Sequence, residues 1–297
     1  AGTLGELAKI KSTTDIAANQ VRLLLTMSDA YVPVGETDRA LQQAEQAKDL
    51  ALRLAAAQST GSSAYGLVYE SMFRIGDALA DQSKLDDSRA EYGRALEIAE
   101  RFASLEPASK DWQVRLAFIH NKMGDALRLR GRLDDAIQHC RAALLVAQAL
   151  AAKEPASLER ARDVAATMSR IGDVMVEKGD DLPGALREFQ AALAIKKDLS
   201  AKKPGDASYL SNLSVGHNRV ASVLSKQGDQ DGALAEYRNA LAIRVQLADT
   251  DPGNTDWQSQ LAFQYVYIGD ALKAKNDLTS AIDTYKKAMT VRQALVR

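Results

Sequence analysis

Acids and bases recur in this chain at a fixed distance from one another. Asp77, Asp125 and Asp173 each stand three residues after a cation, namely Arg74, Lys122 and Arg170, and Asp29 and Asp270 occupy the same place in two further stretches. On a helix residues three apart are neighbours, so Arg74 is expected to pair with Asp77, Lys122 with Asp125 and Arg170 with Asp173. Such a series is a ladder of alternating charge that an extended or helical partner segment could track. One rung is broken: Arg219, beside Asn218, faces Ser222 instead of an acid. Its guanidinium is therefore expected to be free for a partner carboxylate, which it can grip with two parallel hydrogen bonds. Phe118 and Phe263 stand one turn before the charged positions as candidate apolar anchor points, and Asn121 lies beside Lys122. The plainer reading is that the ion pairs only solvate and align this surface, since exposed pairs contribute below about 1 kcal/mol, and that both phenylalanines pack in the core.

The histidines invite a metal or catalytic reading, and their positions argue against it. His120 and His217 share a column of the sequence with Met72, Met168 and Tyr265, so they stand in for large packing residues and are expected to be partly buried. His139 adjoins Cys140, but adjacent residues of a helix point about 100° apart and do not share an ion. Cys140 itself falls in an otherwise largely aromatic column as a small buried filler. The stretches KGDDLPG at 178–184 and QGDQDG at 227–232 lack calcium-loop spacing and are expected to be turns. No HExxH, GxSxG or glycine-rich phosphate loop is present, and no nucleophile, base or metal set converges. We therefore expect no catalytic residue, no metal and no cofactor, and an enzyme is the poorest fit.

Charge narrows the partners. Lys and Arg number 38 against 39 Asp and Glu, so no bulk field favours nucleic acid or an anionic membrane. The lone Cys140 excludes an internal disulfide and fits a reducing compartment, with a cytoplasmic location as the expectation. The longest apolar stretch, AALLVAQALAA at 142–152, is interrupted by Gln148 and far too short for membrane insertion. No signal peptide is visible, and the first residue is not Met, which leaves open a targeting segment or a neighbouring domain outside this sequence.

The elements that must carry these residues repeat. Met27, Ile75, Met123, Ile171, Val220 and Ile268 are equivalent points, spaced 48, 48, 48, 49 and 48 residues apart. Apolar positions three and four apart within each unit predict two helices. In residues 110–131 Asp111 is the expected cap, Trp112, Leu116, Ile119, Met123 and Leu127 form the apolar stripe, and Gly131 ends it; a second helix is expected over 133–155, stopped by Pro155. One column of the second helix is alanine throughout, at Ala47, Ala95, Ala143, Ala192, Ala240 and Ala288. Directly after each equivalent point stands a small residue, Ser28, Gly76, Gly124, Gly172, Ala221 or Gly269. Small residues allow two helix backbones to approach closely, and larger ones fill the flanks.

Tyr265, Ile268, Gly269, Leu272, Ala281, Tyr285 and Ala288 stand in the order of the tetratricopeptide repeat, and the other units agree closely enough that the chain resembles that family over nearly its whole length. The unit is longer than the usual one of about 34 residues, and in this it is similar to the repeats of bacterial multidomain signalling proteins. The resemblance implies an all-α fold, a right-handed α-α superhelix of six extended helix-turn-helix repeats over residues 15–297, with 1–14 as an N-terminal segment or partial helix. It also implies a non-catalytic protein-interaction scaffold whose concave face, lined by the first helix of each pair, takes a protein or peptide, with an acidic segment as one option. Two alternatives stand beside it: a regulatory array for a kinase, caspase-like or TIR-type domain outside this sequence, and self-association through the last repeat, which shows no polar cap. The family's clamp for a C-terminal carboxylate is not reproduced, because its lysine and asparagine places hold Phe73 with Asp77 and Asn121 with Asp125.

Overall fold

The computed structural model describes residues 2–57 and 62–295. Among them every regular element is helical: α1 (Gly2–Tyr31), α2 (Thr37–Ala57), α3 (Ser62–Asp81), α4 (Leu85–Leu105), α5 (Lys110–Leu129), α6 (Leu133–Lys153), α7 (Leu158–Lys178), α8 (Leu182–Lys202), α9 (Ala207–Lys226), α10 (Gln230–Thr250), α11 (Thr255–Ala274) and α12 (Leu278–Leu295). The two helices predicted in each repeat are present at the expected length. Helix α1 runs unbroken across the boundary expected at residue 14. The chain divides into two compact units, Ala1–Leu150 and Ala151–Arg297.

Local chemistry sets the helix ends. Ser109, Ser157, Asp206 and Asn254 each accept a hydrogen bond from a backbone N–H of the first turn of α5, α7, α9 and α11. Asp111 is therefore not the cap of α5; it lies inside the first turn and accepts from Arg115 at 3.0 Å. Between first and second helices the chain turns through a left-handed residue at Gly35, Ser83, Gly131, Gly179, Gly228 and Asn276. The turns at 178–184 and 227–232 are closed by Asp181 and Asp229, whose carboxylates accept from the N–H groups of Gly184 and Gly232.

Packing follows the columns. All six alanines of the second-helix column are buried. In the first unit Val21, Leu25, Ala47, Ala51, Leu54 and Val68 belong to one cluster, and Ala44, Ile75 and Leu79 to another. In the second unit Phe189, Leu193, Val220 and Val223 pack together, as do Leu234, Ile268, Leu272 and Ala281. The small column makes the closest approach. A Cβ on Gly76 would lie 2.4 Å from the Tyr92 ring, on Gly172 2.6 Å from Phe189, and on Gly269 2.4 Å from Tyr285. At Gly124 it would meet the Cys140 sulfur at 2.6 Å, so Cys140 is the buried filler its column predicts. Met27 departs from its column: it is exposed, whereas the other five equivalent residues are buried.

Candidate functional site

The charged ladder exists, but its rungs join repeats instead of closing within one helix. Arg74 donates from Nε and Nη2 to the carboxylate of Asp29, 45 residues earlier, at 2.7 and 2.8 Å. Lys122 donates to Asp77 at 2.7 Å, which also accepts from the Tyr92 hydroxyl. For Arg74 and Lys122 the expected pairing with the acid three residues later is thus replaced by pairing with the acid of the preceding repeat. The physical reason is that equal columns of adjacent repeats face each other across the helix interface, within reach of a long cationic side chain.

The same rule removes the free guanidinium expected at Arg219. It binds Asp173 through two hydrogen bonds of 2.9 Å, so the serine at 222 does not leave it unpaired. What Ser222 does leave changed is the neighbourhood of Tyr237. Tyr92 and Tyr285 donate to Asp77 and Asp270 of their own repeats, the latter at 2.7 Å. Burial and the Asp77 carboxylate hold the Tyr92 hydroxyl well above its ordinary range, and the hydrogen bond to Asp270 pushes that of Tyr285 up to about 12. Tyr237 has Ala221 and Ser222 in place of the glycine and the acid, and its ring instead stacks on Tyr267 of the next repeat, centroids 5.7 Å apart at 20°.

In each unit a hollow opens along the first helices beside the charged ladder. That of the first unit encloses about 490 Å³ and is rich in acid: Asp29, Asp77, Asp81 and Asp125 line it with Arg74 and Lys122. At its side Phe73 meets Phe118 edge-on, centroids 5.2 Å apart, and Arg74 and Lys122 lie over the two rings. Asn121 is half-buried on the same helix. The hollow of the second unit encloses about 420 Å³ between α9 and α11 over α10, and Asn218, Ser222, Tyr237, Arg244, Phe263 and Tyr267 help to line it. Asn218 and Gln264 exchange amide hydrogen bonds of 2.8 and 2.9 Å across it. Phe118 is 40 % exposed and Phe263 50 %, so neither phenylalanine is in the core. Arg170, half-buried on α7, and Asp270, exposed on α11, line neither hollow.

One column of cations escaped the reading of the sequence. Four residues after the invariant alanine stand Ala51, Ala99, Ala147, Lys196, Arg244 and Arg292, three alanines and then three cations. Lys196 is buried and donates to Ser169 at 3.0 Å; burial brings its pKa down to about 8. Arg244, 5 % exposed, donates to Ser211 at 3.2 Å and to Gln260. Arg292 lies over the Phe263 ring at 4.7 Å. The change from alanine to cation was visible in the column, but the residues expected to form a groove lie on the first helix of each pair.

His120 and His139 approach each other, Nδ1 to Nδ1, at 3.0 Å, and burial lowers both, His120 to about 4. His217 is buried against Glu236. Among the described residues no three His, Cys, Asp or Glu side chains are grouped to hold a metal, and no helix is long and apolar enough to cross a membrane.

Against this geometry, residues 218–252 and 265–294 match models of the tetratricopeptide repeat. No curated protein matches the sequence. Solved structures share the fold at low identity. BtubC from P. vanneervenii is similar with a TM-score of 0.68 at 20 % identity, over 87 % of this chain and 92 % of that one. The nuclear import adaptor Nro1 of S. pombe gives 0.62 at 12 % identity, over 95 % and 94 %. A Rap protein complexed with competence and sporulation factor gives 0.53 at 14 %, over 93 % of this chain and 76 % of that one. Stacked helix pairs of the tetratricopeptide type are therefore the fold.

Proposed function

We propose that this chain is a non-catalytic scaffold that binds a protein or peptide segment along the face formed by its first helices. The observation that carries the reading is the exposure of Phe118, Phe263 and Tyr267 on that face, among charges that are mostly paired already. Exposed aromatic side chains with a polar surround are the usual makings of binding hot spots, because they offer much apolar area and few rotamers to fix. Two of the similar structures, a Rap protein complexed with competence and sporulation factor and a nuclear import adaptor, support a ligand-holding role for such stacks. We also read the 48-residue unit as a long-unit variant of the tetratricopeptide repeat, with both helices of the pair extended to keep them matched.

The test is a selection of peptide ligands from a displayed library on the immobilised chain, followed by affinity measurements with Phe118→Ser and Phe263→Ser. Ligands that use this face lose affinity by about tenfold or more with at least one variant. Ligands that bind wild type and both variants alike place the binding surface elsewhere and end the reading.

A further inference from the structure

Arg244 stands out among the cations of the second unit. The buried Arg160 meets Glu159 and Asp163, and Arg219 meets Asp173; Arg244 is buried, and its guanidinium hydrogen-bonds the neutral side chains of Ser211 and Gln260. Among the described residues no carboxylate pairs with it, and the hollow into which it opens is lined by Arg219 as a second cation and by no acid. The hollow of the first unit, which shares the columns of Asn218, Arg219, Ser222 and Tyr237, has four acids and two cations. The difference is written in three columns at once: Ser222 where the other five repeats have aspartate, Tyr267 where the four before it have a cation, and Arg244 where three have alanine.

A buried cation without a counter-charge is unfavourable, because it has lost water and gained only dipoles in return. Burial accordingly lowers the affinity of Arg244 for its proton. The arrangement becomes favourable when a carboxylate arrives. A guanidinium offers five N–H donors in a fixed fork, and Nη1 alone holds the two hydrogen bonds of Arg244. Apart from Arg219, whose charge is already paired with Asp173, the walls around it are apolar or neutral: the stacked rings of Tyr237 and Tyr267, the 50 % exposed Phe263, and the amide pair of Asn218 and Gln264. One unpaired guanidinium with aromatic walls suits a single carboxylate on an apolar segment better than a phosphate, which carries more charge and calls for several cations.

We propose that the hollow over Arg244 receives an aspartate or glutamate side chain of a partner polypeptide, its carboxylate paired with Arg244 and a neighbouring apolar side chain lying on Phe263 and Tyr267. The proposal rests on the scaffold reading and specifies the ligand for one of its sites. Arg292, in the same column of the next repeat, lies over the Phe263 ring that forms part of this wall.

The experiment displays random peptides as loops with neither terminus free, selects them on the full chain, and compares wild type with Arg244→Met and Ser222→Asp. Both variants suit the fold, since alanine fills the column of Arg244 in three repeats and aspartate that of Ser222 in five. Unchanged helical circular dichroism and a melting temperature no lower than that of wild type confirm this. The expected result is enrichment of Asp or Glu beside an apolar residue. Replacing that acid by its amide should weaken binding to wild type by about tenfold, with a much smaller effect on Arg244→Met. Ser222→Asp, which installs an internal carboxylate on the wall, should weaken the same ligands. Selected peptides without an acid, or acidic peptides that bind Arg244→Met as well as wild type, overturn this inference and leave the scaffold reading standing. A selection that yields no ligand at all overturns both.

Discussion

Arg219 on α9 holds Asp173 on α7 through two parallel hydrogen bonds of 2.9 Å, a span of 46 residues that joins one repeat to the one before it. Arg74 with Asp29 and Lys122 with Asp77 repeat the link in the first unit. An ion pair of this kind measures the register between neighbouring first helices. Both partners remain about one third exposed, so solvent screens the attraction. We expect Asp173→Asn and Arg219→Gln each to lower stability by under about 1 kcal/mol, with a coupling in the double-mutant cycle that shrinks in ~1 M salt. Urea denaturation of the four proteins measures it, and a coupling unaffected by salt would contradict the pairing.

The glycine column makes a larger demand. Gly76→Ala puts a methyl group 2.4 Å from the Tyr92 ring, and Gly269→Ala does the same to Tyr285. Each is expected to destabilise by roughly 1–3 kcal/mol, because the ring must leave its place and its hydrogen bond to Asp77 or Asp270. Ala221→Gly is the control: Tyr237 already lies elsewhere, against Tyr267, so this change should alter stability far less. Thermal melts of the three variants decide it, and equal losses at all three sites would refute the account.

The turn column supplies a stabilising change. Ser83 has φ 61° where four repeats use glycine, a left-handed conformation that strains a residue with a side chain. Ser83→Gly is expected to raise stability by about 1 kcal/mol. Asn276, at φ 64°, should gain less from the same change, since asparagine tolerates this region better than serine. A melting temperature lowered by Ser83→Gly would mean that the flexibility added to the unfolded chain outweighs the relief of strain.

Periodicity made the fold legible and stopped short of the site. Ile75, Gly76 and Ala95 announce their roles because a helix pair that stacks on copies of itself must repeat its contacts at equal intervals, and the sequence shows those intervals directly. The partner of Arg74 was not legible in the same way. Spacing within one helix places Asp77 beside it, whereas the interface with the preceding repeat brings Asp29 nearer to the guanidinium. Arg244 was hidden for a related reason: its burial comes from α9 and α11, and nothing in the spacing of α10 reports what the neighbouring helices place over it. Phe118 and Phe263 read as core because phenylalanine is usually buried, and their exposure is a property of the surface between helices.

Acid acts on the first unit through its histidine pair. His120 is buried in contact with His139 at 3.0 Å, and burial holds it at about 4, below the value near 6.5 of an unfolded chain. Between those values the unfolded chain binds a proton that the folded one refuses. Stability contributed by neutral His120 is therefore fully present above about pH 6.5 and is lost as pH falls toward 4. His139, also lowered by burial, acts in the same direction, with the charge of Asp135 opposing the shift. His120→Met should flatten the acid limb of a stability–pH curve, and methionine fits the position because Met72 and Met168 occupy the equivalent places. Denaturation midpoints at a series of pH values for the two proteins make the comparison. Parallel loss of stability in both would assign the acid sensitivity to groups other than this histidine pair.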